Sequence, residues 1–380
     1  MNIRCRSTFG QGFSVVFTLT CLSSPQFAAG ADNGFRCPDQ DTSRWERPKR
    51  DLLWGFSNMY QPCVREIPGD EYCYRMWFFG WATGIGHPGY PGCDAIFHAR
   101  SKDLTKWEVY SGENRWDATM DPKLWVPVIT ADNKPYDDWH NGDPSVVFKD
   151  GRFHMAYSAT GSTDRVKFHP NNMLLCIRGA TSEDGIHWKK TEQPLLIEPP
   201  EAQNPTTGEG WTGDFHRPSL MWDQGKWRLW FDYWHPTKGV CMGYAENTVA
   251  FDAPGGFRVL RAGLEPVIVE WPNPEVVKVG NRYHSFADPI DPRRKFDHIK
   301  YPIRNRAICE AVSSDGLNWE IVGFLQPEDD APATHVPQTL VTTIDGKQWL
   351  YLFYSTQRGG EPNYDYRYDR IRAMRREIKP

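Results

Sequence analysis

One hairpin pattern recurs five times along this chain, and a repeat of that kind leaves few folds open. Its clearest copy spans residues 140–161. A short apolar run after Asp143-Pro144 leads through the turn Asp150-Gly151 into an alternating stretch from Arg152 to Ser158. Turn chemistry and alternation together predict a β-hairpin. The pattern returns at 217–231, 274–286 and 336–354, and more loosely at 61–79. A second unit trails the hairpins. Ser182-Glu183-Asp184-Gly185-Ile186-His187-Trp188 matches Ser314-Asp315-Gly316-Leu317-Asn318-Trp319, and Ser101-Lys102-Asp103-Leu104-Thr105-Lys106-Trp107 is a third copy. Each copy follows an apolar strand.

The repeat therefore reads strand, turn, strand, loop, strand, turn, strand. Five such units predict an all-β chain, a five-bladed β-propeller with four-stranded antiparallel blades. The innermost strands are expected near 60–67, 144–149, 218–223, 275–279 and 337–344. The propeller is assigned to residues 52–380. Residues 32–51 are polar and irregular, and are expected to lie along the last blade and close the ring. Residues 1–31 read as a secretory signal, with Arg4 and Arg6 before a short apolar core and small residues at 28–31. That places the mature protein outside the cytoplasm, secreted or periplasmic. No later stretch is long enough to span a membrane.

Aromatic residues make up 14% of the chain and Trp alone numbers 17. Aromatic faces pack on the apolar faces of sugar rings, and they also fill the space between propeller sheets. The net charge of -4 carries no basic domain, so nucleic acid is excluded as a partner. Of the nine cysteines, Cys5 and Cys21 fall in the signal. Cys176, Cys241 and Cys309 hold like positions in third strands and are expected to be buried thiols. Cys63 and Cys73 flank the first hairpin turn and are expected within bridging distance. Cys37 and Cys93 are the remaining candidates for a bridge.

In a propeller the innermost strands start around one central pocket. Blade register then nominates the residues that face it: Gln61 from blade one, and His140 and Asp143 from blade two. Blade three offers Asp214, His216 and Arg217, and blade four Asn273 and Glu275. His335 and Gln338 come from blade five. Ends of second strands reach the same rim through Asp232, His284 and Asp288. Trp139 stands in the long connection leading to Asp143. A basic loop, 288–305, suits an anionic sugar or a solvated surface. A ring of carboxylates is what glycoside hydrolysis needs, one group protonating the leaving oxygen while another activates water or attacks the anomeric carbon. Unequal environments push such carboxyl pKa values apart.

These features resemble the five-bladed propeller glycoside hydrolases, families 43, 32 and 117 and their relatives. The Ser-x-Asp-Gly-x-x-Trp turns and the Gly142-Asp143-Pro144 step carry the resemblance over nearly all of the mature chain. It implies that Asp143 orients the sugar and the catalytic groups. Two positions depart from the pattern: Gln61-Pro62 stands where an aspartate usually precedes the blade-one proline, and His216 where a glutamate is usual in blade three. Asp143, Asp214, Glu275 and His216 are the catalytic candidates. Trp139, His140, Arg217, Asp232, Asn273, Gln338 and Gln61 are the binding candidates. The resemblance also implies His335 as holder of a central metal or water. The expected activity is cleavage of a plant or algal poly- or oligosaccharide. No cofactor is required, and a structural calcium or other divalent ion is left open. A glycoside phosphorylase and a non-catalytic carbohydrate-binding propeller are the alternatives.

Overall fold

The computed structural model describes residues 37–47, 50–55, 59–81, 94–132, 136–137, 140–161, 174–197, 215–235, 238–262, 265–291, 305–325, 333–357 and 369–379. A two-residue strand, β1 (Leu53–Trp54), precedes the blades. Blade one is β2 (Tyr60–Glu66), β3 (Tyr74–Trp81), β4 (Asp94–Ser101), β5 (Trp107–Tyr110) and β6 (Trp116–Asp117). Blade two is β7 (His140–Lys149), β8 (Arg152–Gly161), β9 (Leu174–Ser182), β10 (Lys189–Lys190) and β11 (Leu196–Ile197). Blade three is β12 (His216–Asp223), β13 (Lys226–His235), β14 (Gly239–Asn247) and β15 (Arg258–Arg261). Blade four is β16 (Glu275–Val279), β17 (Arg282–Ala287), β18 (Cys309–Ser313) and β19 (Glu320–Phe324). Blade five is β20 (Thr334–Ile344), β21 (Lys347–Gln357) and β22 (Asp369–Glu377), with β1 as its fourth strand. The innermost strands touch in a closed ring: β2 with β7, β7 with β12, β12 with β16, β16 with β20, and β20 with β2.

The ring is therefore closed by the N-terminal side of the chain. Leu53 and Trp54 pair antiparallel with Ile371 and Arg370. Glu46 bridges Arg375, and Asp39 bridges Phe324 of blade four. Trp45 packs edge-on against Phe286 of blade four, and Arg376 of blade five lies over its ring.

Turn chemistry builds the hairpins. Asp150-Gly151, Gln224-Gly225 and Asp345-Gly346 all have positive φ at both central residues, the turn whose twist matches the flanking strands. The second repeated unit is a knot of side chain-to-backbone bonds. Ser182 Oγ accepts from Gly185 N at 2.9 Å, Asp184 Oδ1 accepts from Ile186 N and His187 N, and Trp188 Nε1 donates to Gly185 O. Ser313, Asp315 and Trp319 repeat it. The knot also clasps the blade before it: Trp77 Nε1 donates to Gly185 O at 2.9 Å, and Trp230 Nε1 to Gly316 O at 2.8 Å. Gly185 has φ of +79°, and a Cβ there would stand 2.8 Å from the Trp77 ring.

The core is divided into five clusters, one at each blade interface. Trp77, Val146 and Phe153 fill the gap between blades one and two; Leu220, Leu229 and Ile177 that between two and three. Trp230 and Tyr283 join three to four, Phe286 and Leu352 four to five, and Phe353 and Phe78 five to one. Burial of each large aromatic contributes on the order of 1.5–3 kcal/mol.

One cysteine expectation changes. Cys63 pairs across the hairpin with Trp77, while Cys73 lies beside Ile67 at the turn, whose N–H bonds its carbonyl. Four residues of extended strand separate the two positions, roughly 13 Å, so flanking a turn does not bring them into bridging range. Cys309 is buried as expected, but its sulfur meets that of Cys37. Cys93 lies outside the described residues.

Candidate active site

All five innermost strands carry the same irregularity. The residue before the strand's proline takes a positive φ: 49° at Gln61, 52° at Asp143, 47° at Arg217, 54° at Asn273 and 48° at Val336. The register jumps at this step in blades one, two, three and five, and in blade four the ladder begins just after it, at Glu275. A side chain held in this region costs on the order of 1–3 kcal/mol, so neighbours must enforce it. Three of the five backbone N–H groups are gripped by the second strand of the preceding blade or the residue just after it. Arg217 N donates to Ser158 Oγ at 2.8 Å, Asn273 N to Asp232 Oδ2 at 2.9 Å, and Val336 N to Asp288 Oδ2 at 3.0 Å.

A second belt runs below the first. The residue after the proline accepts from a backbone N–H of the next blade: Cys63 from Val146, Ser145 from Leu220, Ser219 from Val276 and Glu275 from Thr339. Arg65 spans the closing step, donating to Thr339 O at 3.2 Å and also to Val146 O. Glu275 is consumed by this belt. Its Oε2 accepts from Ser219 Oγ at 3.0 Å, and its Oε1 from both N and Oγ1 of Thr339. Burial raises its pKa, against the pull of Arg65 and these donors.

Above the belt, the bulges bring together a file of alternating acids and histidines. Asp94 Oδ2 meets His140 Nδ1, and His140 Nε2 faces Asp143 Oδ2 at 3.9 Å. His216 Nε2 stands 3.0 Å from the same oxygen, and His216 Nδ1 lies 3.8 Å from Asp232 Oδ1. Arg217 flanks the file, 3.9 Å from Asp143 and 3.5 Å from Asp232. Asp143 has no exposed surface, whereas the Arg217 side chain is 22% exposed. Burial opposes the charge on Asp143, but His216, His140 and Arg217 overcome it and hold the carboxyl well below the usual range. Burial likewise opposes protonation of His140, and Asp94 and Asp143 outweigh it, raising its pKa to about 9.

The other nominated residues fall around this file. Gln61 is buried, and its Nε2 reaches Pro218 O at 3.5 Å. Asn273 donates to Asp288, which also faces Arg306 at 3.5 Å. Gln338 is buried one step below the bulge of blade five. His335 is buried, and burial, Arg306 and Arg217 hold it well below the usual histidine range. Asp214, Trp139 and most of the basic loop lie outside the described residues. His284 is not at the rim: it sits midway along β17 opposite Val277 and pairs with Glu310 and Arg376 at the interface with blade five. Alternation identifies its face but not its depth along the strand.

Asp94 has no motif to announce it. A third strand starts at the same end as a first strand in an antiparallel blade, and that rule could have found it. Among the described residues, the group of three side chains close enough to hold a metal ion is His140, Asp143 and His216, with ligand atoms within 4.8 Å of one another. His335 is outside that group. The Asp94 carboxylate bonded to His140 Nδ1 matches the way metal-binding histidines are usually oriented, whereas Asp232 stands beyond hydrogen-bond reach of His216 Nδ1, at 3.8 Å.

The fold and this site define a five-bladed β-propeller with a buried acid–histidine file where its innermost strands begin. No described protein family matches the sequence, and no curated protein does. Solved structures share the fold. BT0996, solved as an RGII complex, aligns with a TM-score of 0.58 and 15% identity, over 91% of this protein and 92% of that one. A second structure, described as a glycoside hydrolase, aligns at 0.57 and 16%, over 90% and 92%. Zg3597, a family 117 glycoside hydrolase of the marine bacterium Zobellia galactanivorans, aligns at 0.56 and 14%, over 88% and 90%. The likeness is one of fold, and it is the propeller found in those glycoside hydrolases.

Proposed function

We propose that this protein is a glycoside hydrolase that cleaves a poly- or oligosaccharide in the central pocket of the propeller. The observation that carries the reading is His216 held between Asp143 and Asp232. An imidazole flanked by two carboxylates is fixed in orientation and can give a proton to a leaving oxygen and take one back. His216 is the proton donor in this reading. Asp143 keeps its charge and holds His216 in place, as the resemblance of the Asp143-Pro144 step suggests. Arg217, the most exposed member, binds sugar hydroxyls. Asp214, two residues before His216, is proposed as the partnering base. Glu275, with both oxygens engaged between blades, is assigned to the framework.

The substrate class is proposed from the structural neighbours, one of them solved in an RGII complex. Residues 1–31 direct the protein out of the cytoplasm in this proposal, where such polymers occur. Arg217 and Arg306 near one pocket also suit phosphate, so hydrolysis and phosphorolysis must be distinguished. Purified protein incubated with a panel of plant and algal polysaccharides, with and without phosphate, tests all of this. Free reducing sugar independent of phosphate is expected. Sugar phosphates would make it a phosphorylase, and binding without products a lectin-like propeller.

A further inference from the structure

We propose that Cys37 and Cys309 form a disulfide that fastens the N-terminal segment to blade four and locks the propeller ring. The two sulfurs stand 2.8 Å apart, closer than two sulfur atoms that merely touch. Backbone bonds hold the pair in register. Phe324 is the cross-strand partner of Cys309 in β18–β19, and its N–H donates to Pro38 O, next to Cys37. Gln40 N donates back to Phe324 O, and Gln40 Nε2 reaches Glu310 Oε2, beside Cys309. Gly323, with φ of +149°, leaves room for this close approach, since a Cβ there would stand 2.7 Å from Pro38 O. The segment so anchored is the one that continues through Trp45 and Glu46 to β1, the closing strand of blade five. A covalent link here ties blade four to the strap that completes blade five.

The chemistry requires a disulfide oxidant, either a small-molecule disulfide or a thiol–disulfide oxidoreductase. Cys37 is partly exposed and Cys309 buried, so Cys37 reacts first. Its thiolate attacks one sulfur of the oxidant and releases one thiol. The Cys309 thiolate then attacks the Cys37 sulfur and releases the second thiol. Two protein thiols are oxidised, one external disulfide is reduced to two thiols, and the two protons lost by the cysteines are regained by those thiols. Cys63, Cys176 and Cys241 are buried in other strands and take no part.

The test is peptide mapping of the full chain after incubation with oxidised glutathione, alkylated without reductant. The expected result is one cross-linked species joining the Cys37 and Cys309 peptides, lost on reduction and absent from Cys37→Ser. The oxidised protein should melt several degrees higher than the reduced one, and Cys37→Ser should show no such difference. Separate alkylation of Cys37 and Cys309 after oxidation would overturn the proposal. So would a glutathione adduct on Cys37 that never resolves onto Cys309. Cys37 borders the core between blades three and four and is partly exposed, so its serine variant is expected to fold, and the mapping needs no variant at all.

Discussion

Thr339 Oγ1 donates to Glu275 Oε1 at 2.7 Å, and with the Thr339 N–H on the same oxygen it ties the innermost strand of blade five to that of blade four. Ser219 extends the tie to blade three. Glu275→Gln keeps the shape but replaces one acceptor oxygen by a donor within a filled set of partners. It should cost about 1–3 kcal/mol of stability. Turnover per folded molecule should stay within severalfold of wild type. Urea unfolding alongside rate measurement checks this, and a rate loss of a thousandfold without a stability change would return Glu275 to the reaction.

His216→Gln should lower kcat by about 10²–10⁴-fold, the usual worth of a positioned acid–base group. Asp143→Asn should weaken turnover and also destabilise the protein, since two histidines and Arg217 lose the charge they face. KM should move more in Arg217→Lys, because the ammonium of lysine cannot reproduce a planar fork of donors. Steady-state kinetics on the substrate found by screening separates these three patterns.

Zinc should inhibit. His140 Nε2, His216 Nε2 and Asp143 converge closely enough to capture it, and capture takes the imidazole of His216 out of proton transfer. The expected outcome is inhibition reversed by a chelator, with zinc uptake by calorimetry lost in His140→Ala. Activation by zinc would contradict the role given to His216.

Stability should fall in acid through two sites remote from the pocket. His98 is buried and stacked on Trp77, and its Nδ1–H donates to Met76 O. Burial, with Arg75 adding to it, lowers its pKa from 6.5 to about 3. The unfolded chain takes up that proton first, so stability present above pH 6.5 is lost as pH falls toward 3. Burial opposes the charge on Glu310, but His284 and Arg376 outweigh it and lower its pKa from 4.5 to about 2. Its contribution is present above 4.5 and is lost as pH falls toward 2. Urea midpoints measured from about pH 7 to 3 should decline throughout, and His98→Phe should flatten the upper part of the curve.

Gly185→Ala should be among the costliest single-methyl changes in the chain. The added carbon meets the Trp77 ring and the backbone is in a region alanine resists. A loss of about 1–3 kcal/mol is expected by thermal or chemical unfolding. A change within measurement error would mean that the knot of blade two can shift away from blade one.

Much of this architecture was legible because turns and alternation are local. Asp150-Gly151 and Asp345-Gly346 announce their hairpins, and Ser182, Asp184 and Trp188 announce a knot that their own side chains build. The innermost strands of blades two, three and five begin earlier than expected, at His140, His216 and Thr334, because pairing resumes beyond the proline bulge. That the residues before the prolines adopt left-handed backbone was not legible, since Arg217 and Val336 resist it and only neighbouring blades enforce it. Blade register did place Asp143 and His216 at one ring of positions. It said nothing of Asp94, which enters from a third strand, nor of Cys37, whose partner depends on how the strap crosses blade four.

Blade five takes its outermost strand from the segment before blade one: Asp51 meets Arg372 across 321 positions. A growing chain can hairpin blades one to four as they emerge, because their pairings are local. The fifth must wait until β22 has been made, with Leu53 and Trp54 unpaired all the while. Such a late, long-range pairing slows folding and leaves a sheet edge open to other chains in the interval. The propeller is therefore most exposed to misassembly just before its last strand arrives, a vulnerability of timing that the finished ring no longer shows.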